Sequence, residues 1–329
     1  MKLLRKVKIM IATVSSFTKV RLWQKKVPLV VGWAITYRCN RKCPYCGLGQ
    51  LNYDELSTGQ ILNIVDQLAG LGALRISFTG GEPLLRDDIG EIIDYIHKIG
   101  IEAKINSNGS LVKEKIKDLI NLDILNLSLE GPPEIHDAIR GEGSYQEVME
   151  AVRSAQDSGI KVNFSTVLTG INLKAIDFIL GKAEEFLCKT VFQPATGIIL
   201  GGNAPNPLAP SQKEYRQAIE RLIKEKKVGN SHIGNSLTGL RHLRYWPNPK
   251  KIKCASGWIS CRIEPNADVV YCSREKQPAQ TLNCLREGFP TAFKNLQAIS
   301  CADCWCAARV ELNRAFYGDL TAIFEQMGS

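Results

Sequence analysis

Between residues 28 and 227 the chain alternates between two hydrophobic periods. Short runs rich in β-branched and aromatic residues read as strands at 29–37, 74–78, 102–106, 124–129, 161–168 and 190–193. Stretches whose apolar residues recur three and four positions apart read as helices at 58–71, 87–99, 112–119, 145–158 and 173–186, with a last long helix at 211–227. A Ser/Thr cap opens the first helix, and Gly100 and Gly159 mark helix ends ahead of the next strand. Six serial βα units imply parallel strands, right-handed crossovers and functional loops gathered at the C-terminal edge of the strands. Six units are too few for the eight of a closed barrel, so the fold class is α/β with an open side.

Composition changes this picture little. With 329 residues, 44% hydrophobic and 23% charged, the chain is an ordinary globular α/β protein with room for a second, smaller domain. The net charge of +9 is unevenly placed. The first 26 residues hold eight cations (Lys2, Arg5, Lys6, Lys8, Lys19, Arg21, Lys25 and Lys26) and no acid, so the body of the chain is nearly neutral. That localisation argues against a broad nucleic-acid groove. In the same arm Leu4, Val7, Ile11 and Val14 share helical spacing, which suits peripheral contact with an anionic membrane face or packing on the catalytic domain. No run of 18 apolar residues is present. Eleven cysteines fall in metal-like spacings, which predicts a reducing cytoplasm, with the inner membrane face as a possible peripheral location.

Directly after the first strand comes Cys39-Asn40-Arg41-Lys42-Cys43-Pro44-Tyr45-Cys46. Three thiolates from one tight loop can hold an iron–sulfur cluster and leave one iron open. A structural zinc knuckle is the alternative, and it needs a fourth ligand; the nearest downstream histidine is His97. The Cys-x3-Cys-x2-Cys spacing, with an aromatic residue just before the last cysteine, resembles the signature of radical S-adenosylmethionine (radical SAM) enzymes. The resemblance implies a partial (β/α)6 TIM-like barrel in which Cys39, Cys43 and Cys46 hold a [4Fe–4S] cluster. It also implies that SAM chelates the fourth iron and is reductively cleaved to a 5′-deoxyadenosyl radical. Tyr45 is then expected near the adenine.

Further motifs stand at successive strand ends. Thr79-Gly80-Gly81-Glu82-Pro83 is similar to the family's GGEP motif, which implies that Gly80, Gly81 and Glu82 receive the amino group of SAM. The third strand ends in Asn106-Ser107-Asn108-Gly109, and the fourth in Ser128-Leu129-Glu130-Gly131-Pro132 followed by His136-Asp137 and Arg140-Gly141. These resemble runs found in family members with a C-terminal cluster extension. They imply that Asn108 and Ser128 face SAM and that Arg140 pairs with its carboxylate; a plain bridge from Arg140 to Asp137 or Glu142 is the alternative. Glu130 stands where the family usually has Asp, and His136 is expected to be structural.

Seven more cysteines crowd the C-terminus: Cys254, Cys261, Cys272, Cys284, Cys301, Cys304 and Cys306. Residues 263–271 read as a β-hairpin turning at 265–268, which would return Cys272 beside Cys254. Cys301 and Cys304 form a Cys-x2-Cys pair before a helix at 307–316. The arrangement is similar to the SPASM or twitch extension, which implies an auxiliary [4Fe–4S] cluster on Cys254, Cys272, Cys301 and Cys304. Cys261, Cys284 and Cys306 are then spare, and a four-thiolate zinc site remains the alternative. Cys188 is predicted to be core.

The domains expected are an amphipathic arm (1–27), a barrel core (28–200), a linker with a helix (201–253) and an auxiliary-cluster domain (254–329). The function expected is hydrogen abstraction from a peptide, lipid or small molecule by a radical SAM enzyme, with a low-potential donor such as flavodoxin or ferredoxin supplying electrons. A non-catalytic zinc or iron–sulfur module and an RNA-modifying enzyme are the rival readings, and no catalytic base is assigned.

Overall fold

All six predicted strand runs fold as strands in the computed structural model, which describes residue 20 and residues 25–248, 250–272, 282–296 and 304–328. They are β1 (Val30–Thr36), β2 (Arg75–Gly80), β3 (Glu102–Ser107), β4 (Ile124–Ser128), β5 (Lys161–Leu168) and β6 (Thr190–Pro194). Each pairs in parallel with its sequence neighbour. The intervening helices are α1 (Thr58–Gly70), α2 (Ile89–Ile99), α3 (Pro133–Arg140), α4 (Ser144–Asp157) and α5 (Ile176–Glu185). Then follow α6 (Gln212–Lys227), α7 (Leu237–Leu243), α8 (Cys284–Glu287), α9 (Phe289–Asn295), α10 (Ala307–Phe316) and α11 (Leu320–Gly328).

The two-residue period of the strands separates two surfaces. Ile76 and Phe78, Ala103 and Ile105, and Leu125 and Leu127 are wholly buried in one apolar cluster with Ile61, Ile64, Val65 and Leu68 of α1 and Ile92, Ile93 and Ile96 of α2. The intervening positions, Ser77, Lys104, Asn106 and Asn126, therefore point away from the helices into the lumen of the half-barrel. That lumen is polar: Asn126 Nδ2 donates to Asn106 Oδ1 at 2.9 Å, and Asn106 Nδ2 donates to Ser77 Oγ at 3.3 Å.

Three features depart from the sequence reading. The helix predicted at 112–119 is only a 3-10 turn at Ile116–Leu119. Tertiary ties decide the outcome there: Lys115 Nζ donates to the Arg86 carbonyl at 2.8 Å, and Asp118 packs on Gly90 of α2 so closely that a Cβ on Gly90 would lie 2.9 Å away. Helix α3 was not predicted, although Pro133 in its first turn, Glu134 just inside and Arg140 in its last turn are start and stop signals. Finally, the cysteine-bracketed hairpin does not stand apart. Its first strand, β7 (Ser260–Ile263), pairs in parallel with the free edge of β1, and β8 (Asp268–Val270) and β9 (Leu282–Asn283) continue antiparallel. The sheet order is β6-β5-β4-β3-β2-β1-β7-β8-β9. The turn lies where predicted, with Glu264 N–H donating to the Asp268 carbonyl at 2.8 Å.

The amphipathic character expected of residues 1–27 falls mostly outside the described residues, and no helix among those described is long and apolar enough to cross a membrane. At the other end, α10 docks on α7 through Glu311, which is 3% exposed and accepts the Ser236 N–H at 2.9 Å. Burial lifts the Glu311 carboxyl from 4.5 to about 7, with the Ser236 hydrogen bonds pulling the other way. Because the folded state holds this proton more tightly, the contribution to stability is complete below about pH 4.5 and is lost as pH rises through about 7. The loss is on the order of 3 kcal/mol. Glu311→Gln, neutral throughout, is expected to shrink the difference in thermal midpoint between pH 5 and pH 8; an unchanged difference would contradict this assignment.

Candidate active site

The cysteine loop leaves the C-terminal end of β1 and is fixed from two sides. From β2, Gly81 N–H donates to the Thr36 carbonyl at 2.9 Å and Glu82 N–H to the Arg38 carbonyl at 2.8 Å. Neither glycine is replaceable there. A Cβ on Gly80 would lie 2.0 Å from the Thr36 oxygen, one on Gly81 would lie 2.1 Å from the Arg38 oxygen, and Gly80 has a φ of 120°. From the far end of the sheet, the segment after β6 folds back over the barrel mouth. Leu200 N–H donates to the Tyr45 carbonyl at 3.0 Å, and Gly47 N–H donates to the Leu200 carbonyl at 2.8 Å. The Gly/Pro-rich stretch at 196–210 is thus bonded to the cysteine loop itself.

Cys39, Cys43 and Cys46 are all half-buried and lie close enough to interact electrostatically. Burial raises all three thiols, while the guanidinium of Arg140 pulls each one down. Among the described residues no three His, Cys, Asp or Glu side chains are grouped to hold one metal ion. A cubane presents its irons at separate corners, so three spaced thiolates beside a buried cation are a donor set suited to a [4Fe–4S] cluster.

Arg140 is the electrostatic centre of the site. It bridges neither Asp137, which caps α4 through Gly143, Ser144 and Tyr145, nor Glu142. Its Nη2 instead donates to Glu130 Oε1 at 2.6 Å and to the Tyr45 hydroxyl at 2.7 Å, and the Tyr45 hydroxyl donates to Glu130 at 3.0 Å. Burial opposes the Arg140 charge, but Tyr45 and Glu130 outweigh it and hold the guanidinium firmly protonated. Glu130, wholly buried, also accepts the Val167 N–H at 3.0 Å. His136 accepts the Glu130 N–H at 3.1 Å, and burial depresses it to about 3, so it is a neutral structural acceptor as expected. Glu130→Ala strands a buried cation and is expected to cost about 3–5 kcal/mol of stability. Denaturant unfolding checks this, and a loss under about 1 kcal/mol would contradict it.

Glu82 is also wholly buried, and burial raises its carboxyl above the usual range. It accepts the Asn108 N–H at 2.7 Å, Ser107 Oγ at 2.9 Å and the Leu84 N–H at 3.1 Å, so one of a carboxylate's roughly four acceptor positions is left. Asn108 Nδ2 donates to Asn40 Oδ1 inside the cysteine loop at 2.8 Å. The Ser128 hydroxyl has no hydrogen-bond partner among the described residues.

The C-terminal thiols divide into two groups. Cys304 lies within electrostatic reach of Cys306 and Cys254, and burial pushes it up to about 12. Cys261 and Cys284 are 1% and 3% exposed and adjacent to each other in the core. Cys272 packs at the edge of the main apolar cluster, and Cys301 lies outside the described residues. Sequence reasoning missed the network in which Arg262 of β7 donates to Glu264 at 2.7 Å and to the Tyr37 hydroxyl at 3.2 Å, the hydroxyl in turn donating to Glu264. No local signal marks it, because it exists only once β7 lies beside β1. Cys188 is core, as predicted.

Residues 33–183 match the family model described as Radical SAM superfamily, and the chain carries a radical SAM domain. It is similar to mycofactocin maturase MftC of Mycolicibacterium smegmatis, 28% identical over 262 residues that cover 74% of this chain and 64% of the relative. It is also similar to the Fe-coproporphyrin III synthase of Methanosarcina barkeri, 35% identical over 167 residues that cover 49% of this chain and 42% of the relative. The chain thus spans less than two thirds of either relative's length. Among solved structures, Streptococcus suis SuiB bound to the precursor peptide SuiA superposes with a TM-score of 0.68 at 16% identity, covering 84% of this chain and 67% of SuiB.

Proposed function

We propose that the chain is a radical SAM enzyme that oxidises a peptide substrate held between the cysteine loop and the C-terminal module. When bound, the cluster and SAM supply a 5′-deoxyadenosyl radical that removes a hydrogen atom from the substrate. The observation that carries this reading is the backbone lock between Gly81–Glu82 and Thr36–Arg38, which sets the cysteine loop and the glycine turn face to face.

The chain's own residues then have definite tasks. Cys39, Cys43 and Cys46 hold the cluster. Gly80 and Gly81 let backbone approach SAM, and the last acceptor position of Glu82 receives its amino group. Arg140, already oriented by Glu130, takes the SAM carboxylate. Ser128 and Asn108 supply polar contacts from the ends of β4 and β3, and the Tyr45 ring borders the cofactor. Cys254, Cys272, Cys301 and Cys304 would hold an auxiliary [4Fe–4S] cluster, which would supply an acceptor for the substrate's electron; the proximity of Cys254 to Cys304 supports this set, and Cys306 is its nearest reserve. Flavodoxin or ferredoxin serves as the donor.

A peptide is favoured over a lipid or other small molecule because MftC is a maturase and SuiB binds a precursor peptide. The test uses peptides translated from short reading frames beside the gene, made with deuterated amino acids and offered to the anaerobically reduced enzyme with SAM. Deuterium is expected in 5′-deoxyadenosine. Deuterium arriving only from a labelled tetrapyrrole or fatty acid would contradict the peptide reading.

A further inference from the structure

On the lumen face stands a cation, Lys104, that has no hydrogen bond or ion pair among the described residues. Lys104 pairs in register with Ser77 of β2 and Ile124 of β4 and shares the lumen face with Ser77 and Asn106. Its neighbour Glu102 is spent on Arg75, which it meets in an ion pair across β2 and β3. Among the described residues Lys104 Nζ has neither a hydrogen bond nor an ion pair. Burial lowers its pKa to about 8, Arg75 and Lys161 add to the effect, and Glu102 opposes it. A partly desolvated ammonium beside a guanidinium, with one carboxylate between two cations, is costly until an anion arrives.

We propose that Lys104, backed by Arg75, forms an anion subsite on the lumen floor that takes a carboxylate of the substrate. This rests on the radical SAM reading and extends it by naming a substrate group. Lys104 lies three residues before Ser107, the last residue of β3, which places the subsite about 10 Å below the strand ends where the cysteine loop begins. Ser77 stands level with Lys104, and the Asn106–Asn126 pair lines the wall above it. A substrate anchored by its carboxylate at the floor thus presents atoms three or four residues along an extended chain to the reacting end, and the anchor sets which atom is presented.

The test uses the full chain with its lysines reductively methylated with 13C, and acetate as the probe, with no SAM or reductant present. One low-titrating resonance is expected, absent in Lys104→Arg, and its midpoint should climb by about one pH unit on saturation with acetate. Sodium chloride at the same ionic strength should leave it in place. A midpoint unmoved by acetate, or moved equally by chloride, overturns the subsite. Neither outcome depends on radical chemistry, so a failure here is separable from a failure of SAM cleavage.

Discussion

Replacing Cys43 with alanine is expected to remove one of two clusters and all SAM cleavage while leaving the fold intact. The wild-type chain, reconstituted anaerobically with iron and sulfide, should hold about eight irons. Cys43→Ala should keep only the roughly four of the auxiliary cluster, because two thiolates from one loop no longer retain a cubane. Outer-shell partners of metal ligands already cost about 10–100-fold when removed, so loss of a ligand should lower 5′-deoxyadenosine formation by more than about 100-fold. The half-buried position of Cys43 makes alanine cheap for folding, so a thermal midpoint close to wild type should accompany the loss. Full activity in the variant would mean that the loop does not generate the radical.

Gly81→Ala is expected to do comparable damage by another route. The added methyl would stand 2.1 Å from the Arg38 oxygen and 2.5 Å from the Tyr37 oxygen, both of them backbone atoms with no rotamer to yield. Relief requires parting β2 from β1 just where Gly81 N–H and Glu82 N–H hold the residues leading to Cys39. The overpacking alone costs about 1–3 kcal/mol, and the two hydrogen bonds add about 1 kcal/mol each. The variant should bind iron weakly at the first site and cleave little SAM, whereas the auxiliary cluster, whose ligands come from residue 254 onward, should load normally. Gly59→Ala, where a Cβ meets nothing within 4 Å, is the matched control and should behave as wild type.

The elements carrying these effects were unequally legible. Strands β1 to β6 stood out because each is an apolar run in a βα repeat, a local signal. So were the cysteine loop and the glycine turn, whose residue types and spacing are themselves the chemistry. What was not legible depends on contacts distant in sequence. Arg140 could not be assigned to Glu130 from spacing; it meets Glu130 because α3 folds back over the end of β4. The lone cation at Lys104 follows from Glu102 being claimed by Arg75 on another strand. The docking of β7 on β1 has no sequence signature either, since a four-residue strand carries too short a pattern to name its partner. At 112–119 helical periodicity was read correctly, but ties to Gly90 and Arg86 overrode it.

That docking also changes the relation between the two cysteine sets. Because β7 extends the same sheet as β1, the C-terminal module is built onto the strand that launches Cys39, and the Arg262–Glu264–Tyr37 network crosses between them. The cysteine loop and the hairpin between Cys254 and Cys272 are therefore positioned by one continuous sheet.

The proposed function depends on the Cys39–Cys43–Cys46 loop making a radical from SAM. Its most direct test is 5′-deoxyadenosine formation by the full chain, reconstituted anaerobically and given SAM and a low-potential reductant. The product should accumulate with the wild-type chain and be absent with Cys43→Ala. Tightly held zinc and no 5′-deoxyadenosine from the wild-type chain would contradict it.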